Sequence, residues 1–189
     1  DEIEVWEGYL AVAKRCSREG DYNTAENWLE VCVAKFERKW LSEGADEPPV
    51  LRCLASALIE HANLCRLRAI AIVWDGDEKS MVCTKGWHLI DVCLRIRACL
   101  IAQSNQESHL PAQKQKLYLS HAGITECPGP PEETAHTELL ECYSLIGFFE
   151  LHRGFGSKQV EAQVAHLRRG DGYLHSTIKS HESALRALG

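Results

Sequence analysis

The strongest constraint on the fold is a short turn between two helical runs in the first forty residues. Small and apolar side chains recur at three- and four-residue spacing on both sides of the segment Gly20-Asp21-Tyr22. This spacing puts them on one face of each helix, where small residues let two helices approach closely. The chain is therefore predicted to open with a helical hairpin that packs through Trp6, Tyr9, Val12, Ala13, Cys16, Ala25, Leu29 and Cys32.

The first hairpin resembles a tetratricopeptide repeat. Ala13, Gly20, Tyr22 and Ala25 stand where that family has a small residue in the first helix, a Gly-x-Tyr turn and an alanine that packs the second helix. This resemblance covers about a fifth of the chain. It implies stacked helical hairpins, a TPR-like α-solenoid, that offer a groove to a partner peptide.

The rest of the chain is also predicted to be helical, which gives an all-α fold of about seven helices in a single domain over residues 1–189. From 103 to 133 the pattern weakens and prolines cluster, so we expect an irregular connecting excursion there. A partial second likeness to the repeat falls on Tyr143, Ile146, Gly147 and a turn at Gly154. The expected helices cover residues 3–19, 22–41, 50–74, 79–103, 133–153, 157–169 and 172–188.

Composition limits the partners and the compartment. The formal net charge is −6 and the basic residues are scattered, which argues against nucleic acid, and charged residues interrupt the best candidate for a membrane span. The nine cysteines form no Cys-x-x-Cys pair. Their odd number and spacing favour reduced, mostly buried thiols in a cytoplasmic or nuclear protein over disulfides or a zinc site.

The resemblance implies a partner-binding face on the first helix. By the register of the repeat, Glu7, Leu10, Lys14 and Arg18 look into the groove. In similar proteins a pair of cations on this face holds a peptide carboxylate, so an acidic peptide is the expected partner, and both cations are expected to be largely exposed. The alternative is an ordinary solvated helix face.

The same register presents Phe148 and His152 on the fifth helix. Only one of the adjacent aromatic residues Phe148 and Phe149 can face the core, because neighbouring residues on a helix point in different directions. The other is a candidate anchor for a partner protein. Burial of both under the last helix is the alternative.

No local motif predicts an enzyme, a cofactor or a metal. The spacing Glu133-x-x-His136 occurs once, although a di-iron site needs a second copy, and no Gly-x-Ser-x-Gly signature is present. We therefore predict an interaction scaffold or adaptor with no catalytic, cofactor or metal residues. Two alternatives stay open, namely a helical enzyme or small-molecule binder with a pocket between hairpins, and a structural homo-oligomeric bundle.

Overall fold

The computed structural model describes residues 2–42, 48–73, 75–104, 137–156 and 159–188. These residues form helices and no strand, which confirms the all-α prediction for the part of the chain described. None of these helices has both the length and the apolar character that crossing a membrane requires. The helices are α1 (Glu2–Glu19), α2 (Tyr22–Ser42), α3 (Pro48–Ala71), α4 (Gly76–Ser104), α5 (Thr137–Gly156) and α6 (Val160–Leu188).

Two predicted helix boundaries are wrong. A break was expected between residues 169 and 172, but α6 runs without interruption from Val160 to Leu188. Gly170, in the expected break, is buried within the helix and lies against Leu151. Gly154, expected to form a turn, is also buried inside a helix, because α5 continues to Gly156.

The predicted excursion over residues 103–133 lies mostly outside the described residues, and α4 continues to Ser104. Pro48 and Pro49 occupy the first turn of α3. Proline is tolerated at that end of a helix because the first amide groups have no partner within the helix.

The chain packs as two compact units, and each unit consists of two separate segments of the sequence. Unit 1 contains Asp1–Leu64 and Val92–Gly123, and unit 2 contains Cys65–Asp91 and Ile124–Gly189. The division falls within α3 and within α4, so both helices contribute residues to both units.

In unit 1, the turn between α1 and α2 has the predicted geometry. Gly20 has a φ of +83°, a left-handed conformation that glycine adopts without strain. The N–H of Gly20 donates to Ser17 O at 3.3 Å, and that of Asp21 donates to Cys16 O at 3.0 Å. Asp21 then caps α2, because its Oδ1 accepts the Thr24 N–H at 3.2 Å. These bonds satisfy backbone groups that would otherwise be left open at the two helix ends.

The core of unit 1 confirms most of the predicted apolar positions. Ala13 and Ala25 are fully buried, and the ring of Trp6 packs in a T-shaped arrangement with buried Phe36, with ring centroids 5.4 Å apart. Val12 is the exception, because 43% of its surface is exposed. In α3 the apolar residues of this unit recur at three- and four-residue spacing and are buried, namely Leu51, Leu54, Ala55, Leu58 and Ala62.

In unit 2, α5 packs closely on its neighbours through glycines. A Cβ at Gly86 of α4 would lie 2.3 Å from the ring of Phe149, which is fully buried. A Cβ at Gly147 would lie 2.8 Å from Leu174 of α6. Tyr143 and Tyr173 also stack, with ring centroids 6.0 Å apart. Because glycine has no side chain, these positions leave room for large side chains on the facing helix.

The seven cysteines whose side chains are described are thiols and form no disulfide with one another. The prediction that most cysteines are buried is confirmed for this set, and the side chains of Cys99 and Cys127 lie outside it. The buried members are Cys32, Cys65, Cys83, Cys93 and Cys142.

Candidate functional site

The candidate partner-binding residues of α1 are Glu7, Leu10, Lys14 and Arg18, and we call this set the α1 face. Lys14 Nζ lies 3.3 Å from Glu60 Oε1 of α3, and its side chain is 36% exposed. The expectation that Lys14 is largely exposed is therefore wrong. Its charge is partly neutralised by a carboxylate from another helix, which no analysis of α1 alone could have found.

Two other members of the α1 face also contact the rest of unit 1. Leu10 is only 7% exposed and belongs to the core, so its assignment to a partner-binding surface is corrected. Glu7 is exposed, and its Oε1 accepts a hydrogen bond from the Cys53 thiol at 3.2 Å. Burial raises the pKa of Cys53 to about 11, and the Glu7 carboxylate adds to this shift. Cys53 therefore keeps its proton at neutral pH and acts as a donor to Glu7.

Arg18 is the exposed cation of the α1 face. It lies in the last turn of α1, where a positive charge also interacts favourably with the helix dipole. Arg18 and Lys14 are four residues apart and so share one side of the helix. Of the two cations, Arg18 offers its guanidinium to solvent, while Lys14 is already engaged by Glu60.

The candidates on α5 form a small aromatic surface in unit 2. Phe149 is fully buried and Phe148 is half-buried, which confirms that only one of the pair faces the core. The rings of Phe148 and His152 lie 4.3 Å apart between centroids. Burial lowers the pKa of His152, and the charge of Lys79 lowers it further. His152 is therefore a neutral ring at pH 7, and its partner role stays a prediction.

Unit 2 also contains a buried carboxylate that the sequence analysis missed. Glu150 is 1% exposed and accepts hydrogen bonds from Arg153 Nη1 at 3.3 Å and Arg169 Nε at 3.2 Å. His166 Nδ1 lies 2.7 Å from the same carboxylate. Arg153 also lies over the ring of Trp87, 5.2 Å from its centroid. The network joins α5 to α6, and its only sign in the sequence is an acidic residue within the apolar run of α5.

A second group that the sequence analysis did not predict lies in unit 1. Glu26 and Glu30 of α2 and His61 of α3 each place one donor atom within 4.8 Å of the others. The four-residue spacing of the two glutamates is a weak local signal. His61 could not be assigned to the group from the sequence, because it comes from another helix.

The thiols of Cys32 and Cys83 are not activated as nucleophiles. Burial raises the pKa of each to about 11, and in Cys83 the nearby charges of Lys79 and Arg153 oppose the shift without cancelling it. A thiol is reactive as its thiolate, so these two groups are inert at neutral pH.

Comparisons with known proteins add no assignment. The sequence matches no protein-family model, and neither the curated proteins nor the solved structures include a significant match. The likeness to a tetratricopeptide repeat therefore rests on the residues and geometry described above.

Proposed function

We propose that this chain is a protein-interaction module of the cytoplasm or nucleus, in which a TPR-like helical hairpin binds an acidic peptide segment of a partner protein on the α1 face. The observation that carries the proposal is the exposure of Arg18 on α1, next to the Lys14–Glu60 pair. A guanidinium binds a carboxylate through two parallel charge-assisted hydrogen bonds, and an exposed one needs no rearrangement to do so.

The hairpin itself supports the comparison with the repeat family. Ala13 of α1 and Ala25 of α2 are both fully buried, and Gly20 has the positive φ that a tight turn favours. Rigid helices hold Lys14 and Arg18 at fixed positions. A peptide that binds there consequently loses its own conformational entropy but causes little ordering of the module.

The test is a binding titration with peptides selected from a random peptide library that includes free carboxyl termini. We expect the selected peptides to be acidic and their affinity to fall as salt is added, because exposed charges are screened. Arg18→Glu should weaken binding by tenfold or more, since a charge-assisted contact contributes about 1.5–3 kcal/mol.

Two further variants make the test specific. Arg15→Glu makes the same charge change on the same helix, but Arg15 is 80% exposed and paired with Glu19, off the α1 face, so binding should be unchanged. The exchange Lys14→Glu with Glu60→Lys keeps opposite charges at the two positions of this ion pair and moves the positive charge to α3. If binding needs only the local positive charge, the exchange should cost less than Lys14→Glu alone.

The proposal fails if the selected peptides are apolar, or if Arg18→Glu and Arg15→Glu reduce affinity equally. Circular dichroism and urea unfolding of each variant confirm that the fold is retained. Arg18 lies in the last turn of α1 and Arg15 pairs with Glu19, so the stability of each variant is compared with its own binding loss.

A further inference from the structure

We infer that Glu26, Glu30 and His61 form a binding site in unit 1 for one divalent first-row transition-metal ion. The three side chains come from two helices, and one donor atom of each lies within 4.8 Å of the other two. This site is separate from the α1 face and independent of the proposed peptide binding.

The helix geometry accounts for the convergence. Glu26 and Glu30 are one turn apart on α2, so their carboxylates share a side of that helix. His61 lies on α3, and its Nε2 is 3.8 Å from Glu26 Oε1. Two helices that are packed in place thus supply all three groups.

The 3.8 Å separation of Glu26 Oε1 and His61 Nε2 lies within ion-pair range and is close to the spacing of two donors on one metal ion. It is longer than a hydrogen bond between nitrogen and oxygen. Two donors that each lie about 2.1 Å from one metal ion are about 3.4 Å apart in a tetrahedral site. The Glu26–His61 pair therefore has to close by about 0.4 Å, and the other pairs by at most about 1.4 Å, to reach this spacing.

The chemistry and burial of the donors indicate the type of ion. One neutral imidazole and two carboxylates carry a charge of −2, which a dication neutralises. A mixed set of nitrogen and oxygen donors suits ions such as Mn²⁺ and Zn²⁺, while Ca²⁺ needs six or more oxygens. His61 is 2% exposed, Glu26 is half-buried and Glu30 is exposed. An ion can thus enter from solvent at Glu30 and bind against the fixed imidazole.

The test uses Mn²⁺ alone, because the cysteine thiols of this chain would also take Zn²⁺, whereas Mn²⁺ prefers carboxylate oxygens to sulfur. Electron paramagnetic resonance measures free Mn²⁺ during a titration. We expect one ion to bind per chain more tightly than any other and to raise the melting temperature. Glu26→Gln and Glu30→Gln should each weaken that binding by tenfold or more.

The matched control is Glu37→Gln, which removes a carboxylate from the same helix away from the cluster and should leave binding unchanged. A nitrogen hyperfine coupling on the bound Mn²⁺ reports the imidazole directly and should disappear in a folded His61→Ala variant. The exposed Glu30 keeps the test decisive if that variant does not fold. Equal Mn²⁺ affinity in wild type, Glu30→Gln and Glu37→Gln, or a bound ion without nitrogen coupling, would overturn the proposal.

Discussion

The two helical hairpins α1–α2 and α5–α6 solve the same packing problem with different residues. The first brings its helices together through the buried alanines Ala13 and Ala25 and joins them at the left-handed Gly20. The second uses glycines within its helices, and it buries the carboxylate of Glu150 among basic side chains. The first hairpin depends on local features of its sequence, while the second depends on partners that are distant in the chain.

The glycines make this difference measurable. A Cβ on Gly170 would lie 2.7 Å from Leu151 Cγ and 2.9 Å from the Leu151 backbone nitrogen. Among the described residues, leaving aside the backbone of α1 itself, no heavy atom lies within 4 Å of the Cβ position of Gly8. The second hairpin thus needs glycine for close approach of the backbones, and the first does not.

Removal of the buried carboxylate should have the largest effect. Glu150→Ala takes the shared acceptor from Arg153, His166 and Arg169, and we expect the free energy of unfolding to fall by about 3 kcal/mol. This lies at the low end for a buried ion pair, because the three partners remain partly exposed to water. Urea unfolding measures the change. Glu19→Ala, which breaks the exposed pair with Arg15, should cause no measurable loss, and equal losses would remove the distinction between the hairpins.

Overpacking of the first hairpin should have the next largest effect. Ala25 is fully buried, so Ala25→Leu should push α1 and α2 apart and cost about 1–3 kcal/mol. Ala11→Leu on exposed α1 surface is the control and should leave the melting temperature almost unchanged. An unchanged melting temperature for Ala25→Leu would show that the helices do not meet at Ala25.

A pair of substitutions two residues apart in α6 sharpens the comparison. Gly170→Ala should lower stability by about 1 kcal/mol, because overpacking against Leu151 exceeds the gain in helix propensity. The Cβ position of Gly172 has open space around it in the part of the chain that the structure describes, so Gly172→Ala should raise stability by about 0.5–1 kcal/mol. Differential scanning calorimetry should show opposite shifts. Two shifts of the same sign would contradict the close approach at Gly170.

The smallest expected effect is a pH dependence at the turn of the first hairpin. Hydrogen bonds from the side chain and backbone of Thr24 lower the pKa of Asp21 below its ordinary value of 3.8. Folding therefore favours the charged form. The resulting stabilisation is present above the ordinary value and is lost as the pH falls through the lowered one.

Nuclear magnetic resonance titration of the Asp21 carboxyl should show this shift in the folded chain. Thr24→Ala removes only the side-chain donor, so it should move the titration part of the way back. An Asp21 that titrates at its ordinary value in the folded chain would show that the cap is absent.

The sequence predicted the parts of the fold that depend on local patterns. The recurrence of apolar residues every three or four positions predicted the helices, and Gly20 with Asp21 predicted the first turn. The segment around Gly170 was misinterpreted as a helix end, because glycine usually marks one and its partner Leu151 lies on another helix. The packing of α5 on α6 overrides the local preference there.

The pairs of residues at the candidate sites could also be predicted only in part from the sequence. The i,i+4 relation between Lys14 and Arg18 is visible in the sequence, but the pairing of Lys14 with Glu60 is not. The proximity of His61 to Glu26 is also not visible in the sequence. A side chain that meets its partner from a different helix leaves no spacing in the sequence by which the pair can be found.

The proposed function requires an acidic peptide to bind at the α1 face. The most direct test is a nuclear magnetic resonance titration of the isotope-labelled chain with an acidic peptide selected from the library. We expect the amide shifts to change most around Lys14 and Arg18, and Arg18→Glu to abolish these changes. The amides around Phe148 and His152 should remain unaffected. Changes concentrated on α5, or a peptide that binds without perturbing α1, would contradict the proposed function.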